Sequence, residues 1–195
     1  LFDPALLRGS GRVQAVVGIG RRRETLEEAK RLGIIDEIAE DWAGALKGAD
    51  LLLLAMPVGQ MDAVMAAAAP HLEPQTLVTD AGSTKADVFQ AVYSHLNHRL
   101  ARVVPAHPIA GAEKSGPSAA NADLFHGKRV VLTPLPENES GAIDRVRLAW
   151  QACGADVCEM SPQDHDRVFA AVSHLPHLLA FGLVHEIQSR GNAEQ

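Results

Sequence analysis

The residue best placed to do chemistry in this chain is His107, set in Val103-Val-Pro-Ala-His-Pro-Ile-Ala-Gly111 at the end of an apolar run and before a glycine-bearing loop. An imidazole with an ordinary pKa near ~6.5 keeps a free lone pair at physiological pH, so it can take the proton of a hydroxyl. We therefore read His107 as a catalytic base. Three further polar residues stand out, each with a plainer reading beside the chemical one. Ser83 follows Gly82 in Asp80-Ala-Gly-Ser-Thr-Lys85 and on its own looks like a helix cap. Asp166 suits the positive end of the helix it opens. His177, in Ser173-His-Leu-Pro-His177, lies on an otherwise apolar helix, where a hydrogen-bonded core histidine is the commoner case. His165, Asp166, His174 and His177 together invite a metal. Pro176 lies inside that group and no second compact set of ligands accompanies it, so no metal is expected.

The elements that must position these residues are short and alternate in type. Val13 to Gly18, Asp50 to Met56, Thr76 to Asp80, Arg102 to Ala106, Arg129 to Thr133 and Asp156 to Met160 are apolar runs rich in β-branched residues and leucine, bounded by glycine or proline. Between them lie helical patterns: Glu24 to Leu32 with Gly33 as a stop, Ala63 to Ala69, a helix opened near Ser83, and Ser140 to Cys153. Asp3 to Arg8 suits a helix stub. Such alternation predicts an α/β, Rossmann-like, doubly wound parallel sheet. Ligands of such sheets sit beyond the carboxyl ends of the strands. That rule places Gly18 to Arg23, Met56-Pro57-Val58, Asp80 to Ser83 and His107 along one edge. From Ser161 the pattern becomes one long apolar helix, read as the start of a second, all-helical domain in which Phe169, Val172, Leu179 and Leu183 have nothing large to pack on. The predicted division is 1–160 and 161–195.

Composition narrows the partners. A formal net charge of -6 argues against nucleic acid or an anionic membrane as the main partner. The longest apolar run, Leu51 to Met56, is far shorter than the about 20 residues a bilayer requires, which predicts a soluble chain. Only 2 cysteines, Cys153 and Cys158, stand close together, as in a reduced cytoplasmic protein rather than a disulfide framework.

Four blocks, Asp80 to Lys85, His107 to Gly116, Val130-Val-Leu-Thr-Pro134 and Ser173 to His177, resemble in order and spacing the prephenate and arogenate dehydrogenases of tyrosine biosynthesis, over about residues 13–190. The resemblance implies a dinucleotide-binding domain followed by a helical domain that forms a homodimer. It also implies an oxidative decarboxylation of prephenate or arogenate, with hydride transfer to NAD or NADP and no metal. By the same resemblance His107 is the base that accepts the substrate hydroxyl's hydrogen bond, and Ser83 orients both that histidine and the cofactor. His177 is a second active-site histidine, and Asp166 is an acid near the substrate. Ala112 and Glu113, beside the catalytic loop, are candidates for influencing substrate choice.

The cofactor follows from a separate argument. NAD-preferring folds place an acid at the end of the strand before this turn, whereas an arginine there accommodates the extra phosphate of NADP. Here the strand ends Gly18-Ile-Gly-Arg-Arg-Arg23 with no acid before Glu24. Gly20, Arg21 and Arg22, with Met56, Pro57, Val58 and Ser83, are the expected cofactor residues, and NADP is favoured over NAD. Nothing before Val13 supplies the Gly-x-Gly-x-x-Gly turn that holds a pyrophosphate, and the family's substrate arginine would lie beyond Gln195. We therefore expect an incomplete chain that turns over little. A non-catalytic nucleotide-binding or regulatory module is the alternative. A β-hydroxyacid dehydrogenase is a weaker fit, because no matching lysine motif occurs between Ser161 and Gln195.

Overall fold

A computed structural model describes residues 13–111 and 116–190. The stub at Asp3 to Arg8, Ala112 and Glu113 lie outside the described residues.

The strands are β1 (Val17–Gly18), β2 (Glu37–Ile38), β3 (Leu51–Leu54), β4 (Leu77–Asp80), β5 (Ala106–Pro108), β6 (Arg129–Leu132) and β7 (Asp156–Glu159). The α-helices are α1 (Arg23–Arg31), α2 (Trp42–Leu46), α3 (Met61–Ala68), α4 (Ala86–His95), α5 (Ser140–Ala152), α6 (Pro162–Phe169) and α7 (Leu175–Ser189). β1 pairs parallel with β2, and β3 with β4 in the register Leu51↔Leu77 to Leu54↔Asp80. An isolated parallel bridge, Val78↔Val103, leads from β4 towards β5. β6 and β7 are again parallel.

Side chains alternate across the sheet and feed two cores. Leu77, Val104, Ala106, Val130 and Leu132 meet Ala142, Val146 and Trp150 of α5. Leu54, Val78 and Val103 meet Met61 and Met65 of α3 and Val88, Ala91 and Val92 of α4. The period of two along the strands and the i, i+4 spacing on each helix are what give the sheet a helical layer on both faces.

Several details differ from the sequence reading. β2 and α2, the latter capped by the Asp41 side chain on Gly44 N at 2.7 Å, were not expected in the acidic segment after Ile35. β5 runs antiparallel to β6. Among the described residues the connection between them holds 3₁₀ turns at Pro117–Ala119 and Ala122–Phe125 and no crossover helix. The expected strand Arg102 to Ala106 is also displaced. A 3₁₀ segment runs to Arg102, Pro105 has no N–H for a ladder, and pairing resumes at Ala106–Pro108. His107 thus lies within a strand, opposite Val131, instead of following one.

After β7, Ser161 caps α6 by accepting from Asp164 N at 3.1 Å, with Pro162 in the first turn. A π-helical turn, Ala170–His174, joins α6 to α7. Phe169 is buried, against expectation, because it packs on His107 and His165. Val172, Leu178, Leu179, Phe181 and Leu183 are exposed. The helical run Pro162–Ser189 spans 28 residues and is, by length and composition, apolar enough to cross a membrane. Leu51 to Met56 was therefore not the right yardstick: Ser173, His174 and His177 interrupt the apolar run but not the helix.

Candidate active site

The site is built at the carboxyl end of β4. Asp80, 2% exposed, accepts from Ala106 N at 3.0 Å through Oδ1, and from Gly82 N at 2.8 Å through Oδ2. Lys85 is fully buried; its Nζ donates to Asp80 Oδ2 and to Ala106 O, each at 2.6 Å. Both polar groups of Ala106, the residue before His107, are thus gripped by one ion pair. Burial pulls the Lys85 pKa below its ordinary value, and the adjacent Asp80 opposes the shift. The turn between them is tight: a Cβ on Gly82 would sit 2.8 Å from Asp80 Oδ2 and 3.0 Å from Val58 Cγ2. The parallel ends of β3 and β4 therefore bring Val58, Asp80 and Gly82 together, as the strand-end rule requires.

His107 is buried, with its ring edge-on to Phe169 and His165 at centroid distances of 5.0 Å each. Its Nδ1 lies 2.8 Å from Nε2 of His165, and Nδ1 of His165 lies 2.7 Å from Oδ1 of Asp166. Asp166 also accepts the backbone N–H groups of Lys85 and Ala86, at 2.8 Å each, at the start of α4. A carboxylate at a helix N-terminus is favoured by the orphan amides there.

The charges in this chain of contacts are consistent. Burial raises the Asp166 pKa, but the hydrogen bonds from Lys85 N, His165 and Ala86 N outweigh it and hold the group below the usual carboxylate range. Burial pushes His107 down to about 3, helped by His165, Lys85 and His174 and opposed by Asp166. Burial also lowers His165. Two neutral imidazoles therefore stand in line behind an ionised carboxylate.

The structure distributes the sequence candidates unevenly. Asp166 joins His107 through His165. Ser83 is exposed in the turn before α4, with no hydrogen bond to a described residue. His177 is exposed on α7; its Nδ1 donates to Ser173 O at 2.9 Å, and it makes no described contact with His107. Met56 and Val58 are half-buried and Pro57 is exposed in the loop after β3. Gly20, Arg21 and Arg22 are exposed ahead of α1. Arg23 pairs with Glu27 and Glu40, whereas Arg21 and Arg22 have no ion-pair partner among the described residues. Both stand exposed beside Gly20.

Two residues escaped the sequence reading. Lys85 closes the Asp80-Ala-Gly-Ser-Thr-Lys85 block, and its signal is a lysine five residues after an aspartate that ends an apolar strand. His165 was weighed only as a metal ligand, although its neighbour Asp166 is the partner that orients it.

A doubly wound α/β sheet carrying a buried histidine pair, continued by an apolar helical segment, is the architecture of a nucleotide-binding domain followed by a helical one. Comparison with known proteins narrows this. The family model for the prephenate dehydrogenase nucleotide-binding domain matches residues 5–159, and that for the prephenate dehydrogenase dimerization domain matches residues 161–195. The chain belongs to the prephenate dehydrogenase family. It is 37% identical over 158 residues to the cyclohexadienyl dehydrogenase of Zymomonas mobilis, covering 81% of this chain and 53% of that one. It is 35% identical over 179 residues to the prephenate dehydrogenase of Bacillus subtilis, covering 91% of this chain and 48% of that one. The crystal structure of A. aeolicus prephenate dehydrogenase in complex with hydroxyphenyl propionate and NAD+ aligns with a TM-score of 0.86 at 35% identity, over 94% of this chain and 64% of that one. The chain thus spans about half the length of the curated relatives it matches.

Proposed function

We propose that this chain carries the base and much of the cofactor surface of a dehydrogenase that converts prephenate or arogenate, by oxidative decarboxylation, into 4-hydroxyphenylpyruvate or tyrosine. The observation that carries the reading is the buried, neutral His107 ring, tied at Nδ1 and positioned at the edge where a doubly wound sheet binds its ligand. A bound nicotinamide dinucleotide supplies the hydride acceptor. Nε2 of His107 accepts the hydrogen bond, and then the proton, of the ring hydroxyl as hydride leaves the same carbon. Loss of the ring carboxylate as carbon dioxide sends its bonding pair through the ring to that oxygen. The oxygen then recovers the proton, so the ring ends aromatic and the base ends neutral.

The remaining roles are carried over from the family resemblance. Ser83, whose hydroxyl has no hydrogen bond to a described residue, orients the cofactor and the base. His177 is a second active-site histidine, its Nε2 available for substrate. Ala112 and Glu113 influence substrate choice. Asp166, with both oxygens engaged, suits ordering the base better than contacting substrate. Gly20, Arg21, Arg22, Met56, Pro57 and Val58 hold the cofactor, and Arg21 and Arg22, without an ion-pair partner among the described residues, favour NADP. Residues 1–160 form the dinucleotide-binding domain, and 161–195 open a helical domain whose exposed apolar side chains pair with a second copy. That pairing accounts for the apolar helix without a membrane, and the protein is a cytoplasmic homodimer.

The test is turnover of the whole protein with prephenate and arogenate, each with NAD and NADP. His107→Asn lowers turnover while leaving the fold intact. Arg21→Ala with Arg22→Ala weakens NADPH binding by about 10-fold or more with little change for NADH, the loss expected when a phosphate contact worth about 1.5–3 kcal/mol is removed. Cofactor binding without turnover of either substrate would point to a regulatory module instead.

A further inference from the structure

We infer that His165 and Asp166 are positioning residues that fix which nitrogen of His107 carries the lone pair, so that the helical segment arms the base of the nucleotide-binding sheet. The inference rests on the proposed role of His107 and adds to it a device that no comparison assigns.

The argument is one of hydrogen-bond direction. An ionised Asp166 can only accept, so the His165 Nδ1 at 2.7 Å must be its donor. A neutral His165 that donates from Nδ1 has only a lone pair at Nε2. The His107 Nδ1 at 2.8 Å must then carry the hydrogen and donate it. Neutral His107 is left with its lone pair at Nε2, the ring nitrogen that has no hydrogen-bond partner among the described residues. Asp166 is itself held by Lys85 N and Ala86 N, so the direction of the whole chain is set by amides at the start of α4 that can only donate. The groups facing His107 are His165 and Asp166 from α6, His174 from the π turn, and Lys85 with its partner Asp80 at the end of β4.

The residues come from two regions. His107 lies 58 positions before His165, and the regions meet in the Nδ1 to Nε2 contact and in the packing of Phe169 on both rings. Without α6 docked, the two tautomers of His107 differ little in energy, and a fraction of the protein presents N–H instead of a lone pair to the substrate hydroxyl. A docked α6 removes that fraction. When His107 takes up the proton during turnover, His165 and the Asp166 carboxylate also stabilise the imidazolium, as the orienting acid of a hydrolytic triad does.

The test needs no activity in its first arm. Two-bond 1H–15N spectra of the whole, 15N-histidine-labelled protein near neutral pH should show His107 protonated at Nδ1 and bare at Nε2. A His107 protonated at Nε2 would overturn the inference. In the second arm, His165→Leu removes the acceptor; the His107 signal then moves towards mixed tautomers, and kcat falls by on the order of 100-fold, the lower part of the range for a general base. The KM for the dinucleotide stays unchanged. His165→Gln, whose amide can both donate to Asp166 and accept from His107, restores most of the tautomer signal and the rate. If His165→Gln and His165→Leu behave alike in both readouts, His165 is only packing. If His107→Asn leaves turnover intact, it is the proposed base that fails, a result separable from the spectra.

Discussion

Replacing Lys85 by methionine tests whether the ion pair beside His107 is a structural necessity. The substitution keeps chain length and apolar bulk but deletes the ammonium. Asp80, 2% exposed, would keep its bonds from Ala106 N and Gly82 N and lose its one described cationic partner, while Ala106 O would lose the donor at 2.6 Å. Breaking a buried pair in this way costs about 3–5 kcal/mol, because a charge stays behind without compensation. At about 2–4 °C per kcal/mol for a domain of this size, Tm should fall by roughly 6–20 °C. Scanning calorimetry or a circular dichroism melt at pH 7.5 reads this directly. Adding Asp80→Asn to Lys85→Met removes the stranded charge, so the double variant should recover part of the loss; a double-variant cycle isolates the coupling. A Lys85→Met protein that melts within about 1 °C of the parent would refute the account, because it would mean that Asp80 is not an ionised, buried partner.

Acid should destabilise the fold through the same cluster. His107 has a folded pKa of about 3 against 6.5 unfolded. Its contribution is therefore complete above pH 6.5 and is lost as the pH falls towards 3, the unfolded state binding the proton first. His165 is depressed too and adds in the same direction, and the Asp166 contribution disappears when that carboxylate protonates. Urea midpoints should drop steadily from pH 7 to pH 4.5, and constant midpoints would count against a buried neutral pair. Gly82→Ala places a methyl 2.8 Å from Asp80 Oδ2 and 3.2 Å from Met61 Cε. This overpacking should cost about 1–3 kcal/mol in a melt and weaken dinucleotide binding in a titration. Phe169→Ala removes the ring packed on His107 and His165 and should cost about 3–5 kcal/mol by denaturant unfolding. An unchanged midpoint there would show that α6 does not depend on that contact.

Most of the architecture is legible in single stretches of chain because it is local in origin. Leu51–Leu54 and Leu77–Asp80 are short, apolar and bounded by breakers, so burial makes them strands; Ala142, Val146 and Trp150 recur at helical spacing, so burial makes their segment a helix. The motifs around Asp80, His107 and Ser173 likewise identify the family without coordinates, since each is a contiguous block. What the sequence could not determine depends on where distant elements cross. The antiparallel return of β5 to β6 follows from a connection whose 3₁₀ turns carry no periodic signature. The burial of Lys85 depends on the peptide at Ala106 lying within reach of its ammonium, 21 residues away. Above all, the histidine that meets His107 is His165 on α6, whereas His177 lies beyond the π turn on α7, exposed and bonded to Ser173 O. Sequence determined that a histidine stands at the end of an apolar run; only the tertiary structure decided which side chain its ring meets, because a contact across 58 residues has no local pattern to announce it.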